Sequence, residues 1–125
     1  MVVIASAILC KHVAENINKG YSCMECIHSF EGIGRVHHFE MAVTYKTNEE
    51  AFQETYHFVN NKGAILQAFT TYHRPQSDFY TSISEFEICF ENKGIHYAEI
   101  FIDEKSKIKI PFEVKAQNTK MEESQ

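Results

Sequence analysis

Apolar and polar residues alternate along most of this chain with a period of two. The clearest case is 36–45, where Phe39, Met41, Val43 and Tyr45 fall on one face and His38, Glu40 and Thr44 on the other. Residues 51–59 repeat the pattern, setting Phe52, Glu54, Tyr56 and Phe58 against Gln53, Thr55, His57 and Val59. Residues 107–115 set Ile108, Ile110, Phe112 and Val114 against Lys107, Lys109, Glu113 and Lys115. Successive side chains of an extended strand point to opposite faces, so this period predicts strands with one buried face. Further apolar or alternating runs lie at 2–10, 21–30, 64–72, 79–90 and 95–103. With one brief helical stretch expected around Lys11–Asn18, the chain reads as about eight short strands separated by turns. That pattern predicts an all-β fold, an antiparallel β-sandwich with a small closed β-barrel as the alternative. Residues 1–115 form one domain in this reading. Residues 116–125 are polar, have nothing to bury and are expected to be disordered.

The turns carry their own signature. Asn-Lys-Gly occurs at Asn18–Gly20, Asn61–Gly63 and Asn92–Gly94, each time ahead of a strand. Glycine supplies a positive φ and asparagine tolerates the left-handed region, which suits a hairpin. A phosphate loop would need more glycines and a following helix. The triplet is therefore read as hairpin chemistry.

A length of 125 residues is enough to bury a core without staples, and 44% hydrophobic with 23% charged residues is ordinary globular composition. The net charge of −5, with Arg35 and Arg74 the sole arginines, offers no clustered basic face, so nucleic acid is not an expected partner. The apolar start lacks the basic residues of a secretory signal, and no run approaches the ~20 apolar residues a helix needs to cross a bilayer. A soluble, cytoplasmic protein without a membrane partner is expected, with Cys10, Cys23, Cys26 and Cys89 as thiols.

Few constellations point to chemistry. Cys23-Met24-Glu25-Cys26 has zinc-knuckle spacing, and His28 could add a ligand. In a strand, however, residues three apart face opposite ways, and no second such pair exists, so no metal or other cofactor is expected. Only Asp78 and Asp103 are available to a calcium loop, and no nucleophile elbow, glycine-rich phosphate loop or metalloprotease motif occurs. No enzyme activity is expected. Tyr and Arg anchors supply much of the energy of protein interfaces, and function concentrates in loops on rigid scaffolds. Two loops fit: 31–38, with Arg35 and His37, and 72–80, with Tyr72, His73, Arg74, Asp78 and Tyr80.

The segments Ile8-Leu9-Cys10, 28–34 (HSFEGIG), 59–63 (VNNKG) and 90–103 (FENKGIHYAEIFID) resemble uncharacterised bacterial domains of unknown function that form small immunoglobulin-like sandwiches. That resemblance implies the sandwich and no activity. The expectation is a non-enzymatic interaction module of bacterial or phage origin, acting through loops or a sheet edge on a protein partner or a second copy as a homodimer. The alternatives are a small-ligand-binding barrel and a zinc protein using Cys23 and Cys26.

Overall fold

Among the described residues the alternating runs form nine strands: β1 (Val2–Glu15), β2 (Tyr21–Cys26), β3 (Ser29–Glu31), β4 (Val36–Thr47), β5 (Phe52–Val59), β6 (Ile65–His73), β7 (Phe79–Cys89), β8 (Gly94–Ile102) and β9 (Lys105–Lys115). The structure is a computed structural model that describes residues 1–15 and 20–117. Two sheets pack face to face, one ordered β2-β1-β4-β7 and the other β3-β9-β8-β5-β6. The architecture is the β-sandwich.

The inward faces are those the alternation marked. Phe39, Met41, Val43 and Tyr45 of β4 are buried, as are Phe52, Tyr56 and Phe58 of β5. Ile100, Phe112 and Val114 join them from β8 and β9. Rings fill the space between the sheets: Phe58 and Phe86 meet at 4.7 Å between centroids, and Phe30 touches Phe39, Phe90 and Phe112 at 5.1–5.4 Å. Each such ring, truncated to alanine, would cost ~3–5 kcal/mol.

The local details depart from expectation in four places. Lys11–Glu15 continues β1 rather than starting a helix, and the rest of that expected helix lies outside the described residues. The run 21–30 is not one strand. Ile27 N donates to Leu9 O in one sheet, and one residue later His28 O accepts from Glu113 N in the other, so the chain changes sheets there. The resulting β3 runs parallel to β9, whereas the other strand pairs among the described residues are antiparallel. Lastly, the third Asn-Lys-Gly joins β7 to β8 across the two sheets and is no hairpin, although Gly94 does take φ 124°. A Cβ there would also sit 3.1 Å from the Asn61 amide.

The second Asn-Lys-Gly does close a hairpin, β5–β6, but the preceding Asn60 organises it. Its side-chain oxygen accepts from Lys62 N and Ala64 N, both at 2.9 Å. The β8–β9 hairpin turns on Asp103-Glu104, with φ of 48° and 70°, a two-residue primed turn without glycine. Asp103 compensates by anchoring to β5: its carboxylate accepts from Gln53 N at 3.0 Å and its own N–H donates to Gln53 O at 2.9 Å. The first Asn-Lys-Gly lies largely outside the described residues, as does most of the polar tail. Because Asn60 satisfies two backbone donors, Asn60→Ala should lower unfolding free energy by ~1–3 kcal/mol, read as a shifted urea midpoint with unchanged slope.

Candidate functional site

Glu54 sits at an inward position of β5, between Phe52 and Tyr56, and is fully buried. An unpaired carboxylate there would be prohibitively costly. It accepts four hydrogen bonds. Tyr45 from β4 donates to Oε2, as does Tyr56 at 3.0 Å. Ser82 of β7 donates to Oε1 at 2.8 Å, and His73 Nε2 of β6 to the same oxygen at 2.9 Å. The other ring nitrogen, His73 Nδ1, pairs with the Tyr80 hydroxyl at 2.8 Å. Strands from both sheets therefore converge on one carboxylate.

The electrostatics follow from the count of donors. Burial alone would raise the Glu54 carboxyl, but the hydrogen bonds from His73, Tyr45 and Ser82, with the pull of the imidazole, carry it below its usual value. Desolvation and the same carboxylate push the phenols of Tyr45, Tyr56 and Tyr80 upward, which keeps them protonated as donors.

Serine, histidine and glutamate in contact invite comparison with a hydrolytic triad, and the geometry differs. A triad uses one ring nitrogen for the acid and the other for the nucleophile. Here Nε2 faces both Glu54 at 2.9 Å and Ser82 at 3.4 Å, while Nδ1 is committed to Tyr80. Ser82 spends its proton on Glu54, and Ser82 and Glu54 are buried. The cluster holds strands in register.

What it holds is the 72–80 loop. His73 ends β6 and Tyr80 lies at the start of β7, so both stems are pinned inside. Strand alternation then turns their neighbours outward: Tyr72 is 76% exposed and Phe79 58%. Lys46 Nζ lies 4.8 Å from the Phe79 ring centroid, and Asp78 O accepts from Thr47 N at 2.8 Å. Arg74 and Asp78 are exposed at the loop's surface. A shallow depression lined by Tyr21, Thr44, Gln76, Phe79, Tyr80 and Thr81 opens beside it.

The other loop expected to contribute lies at the far end of β4. Val36 pairs with Cys89 and Lys46 with Phe79, placing the two loops roughly 30 Å apart at ~3.3 Å per residue. Arg35 and His37 serve their own turn. Arg35 Nη2 donates to Glu31 O at 2.9 Å and folds over Gly32, where any Cβ would fall 2.5 Å from its Nε. His37 is buried against Phe30 and Phe90 and bonds Gly32 O through Nε2 at 2.8 Å. The structure thus separates Arg35 and His37 from Tyr72, His73, Arg74, Asp78 and Tyr80.

The zinc-like spacing disperses as well. Cys23 is half-buried, Cys26 and His28 are exposed, and among the described residues no group of three or more His, Cys, Asp or Glu converges as metal ligands. Sequence reasoning missed Glu54, Tyr45, Tyr56 and Ser82. The available signal was a charge in the apolar register of 51–59.

No family model matches the chain, and no curated protein matches it. Among solved structures, it is similar to Pseudomonas fluorescens alkylpurine DNA glycosylase AlkC bound to DNA containing an abasic site analog. The TM-score is 0.57 at 14% sequence identity, over 92% of this chain and 30% of that one. The likeness is one of fold, and the chain spans less than a third of that protein's length. No helix among the described residues is long and apolar enough to cross a membrane.

Two buried groups, His96 at the far end and Glu54 in this network, predict how acid acts. His96 is buried, donates Nδ1–H to Gly94 O, leaves Nε2 without a partner, and has its pKa lowered by desolvation. The unfolded chain protonates this ring near 6.5, the folded chain only at lower pH, so stability should begin to fall below about that pH. Glu54 also has a lowered folded value, so its contribution, complete above 4.5, should drain away as pH falls further. Glu54→Gln should cost roughly 3–5 kcal/mol at neutral pH and flatten the lower part of the acid limb, measured by urea unfolding across pH.

Proposed function

We propose that this chain is a non-enzymatic interaction module that engages a protein partner along β6 and the 72–80 loop that follows it. The observation carrying this reading is the composition of an edge. β6 is the outermost strand of its sheet, nine residues long, and bears no aspartate, glutamate, lysine, arginine or proline. Soluble proteins guard such edges, because unpaired backbone N–H and C=O groups recruit foreign strands. Here the edge instead exposes Ile65 at 56% and Phe69 at 39%, and it runs into Tyr72 and Arg74. A strand lent by a partner would gain backbone hydrogen bonds along β6 and anchors at its end. A second copy of this chain is the simplest such partner, since an uncharged strand does not repel itself despite the net charge of −5.

Pinned stems support the same reading. Binding pays for ordering loops, and a loop whose ends are fixed by Glu54, His73 and Tyr80 has little left to order. DNA is the ligand of the similar glycosylase structure, but a chain with a net charge of −5 and two arginines is poorly suited to neutralising phosphates.

The test is native mass spectrometry of protein gently isolated from host lysate, comparing wild type with the triple variant Ala68→Lys, Tyr72→Ala and Arg74→Ala. All three positions are exposed, so the fold should survive. Wild type should carry an additional protein mass, its own or another chain's, and the variant should lose at least tenfold in occupancy. A wild type that is always bare and monomeric, or a variant that retains its partner, rejects the proposal.

A further inference from the structure

The opposite edge of the sandwich carries three thiols. Cys10 of β1 lies directly across from Cys26 of β2. The bond from Ile27 N to Leu9 O identifies the neighbouring positions as the hydrogen-bonded ones, so Cys10 and Cys26 occupy a non-hydrogen-bonded pair. In such pairs the Cα atoms approach to ~4.5 Å, inside the range a disulfide spans without moving backbone. Cys23 packs against the small cluster of Cys10, Val13 and Ala42. In a regular strand Cys23 and Cys26 would diverge. Glu25, between them, takes φ 57°, which breaks the alternation, and both thiols act on Cys10, Cys23 more strongly than Cys26.

We propose that Cys10 and Cys26 form a thiol–disulfide site that reversibly staples the edge strand β2 to β1. Exposure divides the labour: Cys26 is open to solvent, whereas Cys10 is fully buried. The oxidant is a low-molecular-weight disulfide. The Cys26 thiolate attacks one of its sulfurs, forming a mixed disulfide and expelling one thiolate. Cys10 gives its proton to solvent and attacks the Cys26 sulfur, expelling the second thiolate. Two protein thiols are oxidised to one disulfide, and the small disulfide is reduced to two thiols. Burial, then the neighbouring Cys23, push the Cys10 thiol up to about 12, so the second step is slow and accelerates with pH.

Incubation of the intact chain with glutathione disulfide, followed by intact mass and peptide mapping, tests this. The expected course is a transient glutathione adduct on Cys26 that converts to a species lacking two hydrogens, with the peptides of Cys10 and Cys26 linked. Conversion should quicken about tenfold per pH unit below the Cys10 value, since only thiolate attacks. Cys26→Ser should abolish it and Cys89→Ser should not. Hydrogen exchange in β2 should slow in the oxidised form. A stable adduct that never resolves, a cross-link that forms equally fast in Cys26→Ser, or a Cys23–Cys26 link instead would overturn the proposal.

Discussion

An ionised carboxylate inside an aromatic core sets the terms on which this sandwich can form. Glu54 is tolerable because four donors from four different strands meet it: Tyr45 on β4, Tyr56 on β5, His73 on β6 and Ser82 on β7. Two of these strands belong to one sheet and two to the other. Hydrophobic contacts between sheets are forgiving, since rings can slide and repack. A carboxylate is not forgiving. A one-residue slip of any contributing strand would turn its donor away, and the loss would cost far more than a misplaced methyl. The network therefore supplies relative register, which the surrounding phenylalanines cannot.

The far end of the molecule is governed differently. There Phe30, Phe90 and Phe112 surround His37 and His96, and one nitrogen of each ring is satisfied by a nearby backbone carbonyl, Gly32 O for His37 and Gly94 O for His96. His96 Nε2 stays unpaired, a sign that this end tolerates small polar debts where the Glu54 end tolerates none. One end locks the sheets together, and the other closes loops over a greasy plug. The two polar loops, 31–38 and 72–80, differ in the same sense, one folded onto itself through Arg35 and the other presented outward on fixed stems.

Much of this was legible in the alternation. The apolar faces of 36–45, 51–59 and 107–115 are the ones turned into the core, because side-chain direction in a strand is fixed by backbone geometry, but Glu40 on the polar face of 36–45 is buried too, where it accepts from Val13 N. The same rule split His37 from His38, one buried and one exposed. What escaped were features set by partners distant in sequence. Nothing near Tyr21–Glu31 signals a change of sheet, which follows from pairing with Leu9 on one side and Glu113 on the other. The Asp103-Glu104 turn has no glycine because Asp103 is held by Gln53, fifty positions away. Glu54 was placed on the aromatic face by pattern, yet its four donors span residues 45 to 82 and share no local motif. His73 and Tyr80 drew notice as loop residues, but their inward role depends on that carboxylate.

The four edge strands differ in how they are protected. Three of the four exposed edge strands are shortened or charged: β2 has six residues with an acid among them, β3 has three, and β7 places Glu85 and Glu87 on its outer face. Each device discourages foreign pairing. β6 has none of them, although exposed positions such as Ala68 and Thr70 could hold lysine at no cost to the core. On the proposed reading, a sequence that guards three edges and leaves β6 uncharged keeps that edge free for a partner strand. In that proposal Tyr72 and Arg74 at the end of β6 are the anchors, and the buried bonds of His73 to Glu54 and Tyr80 fix the stems that carry them.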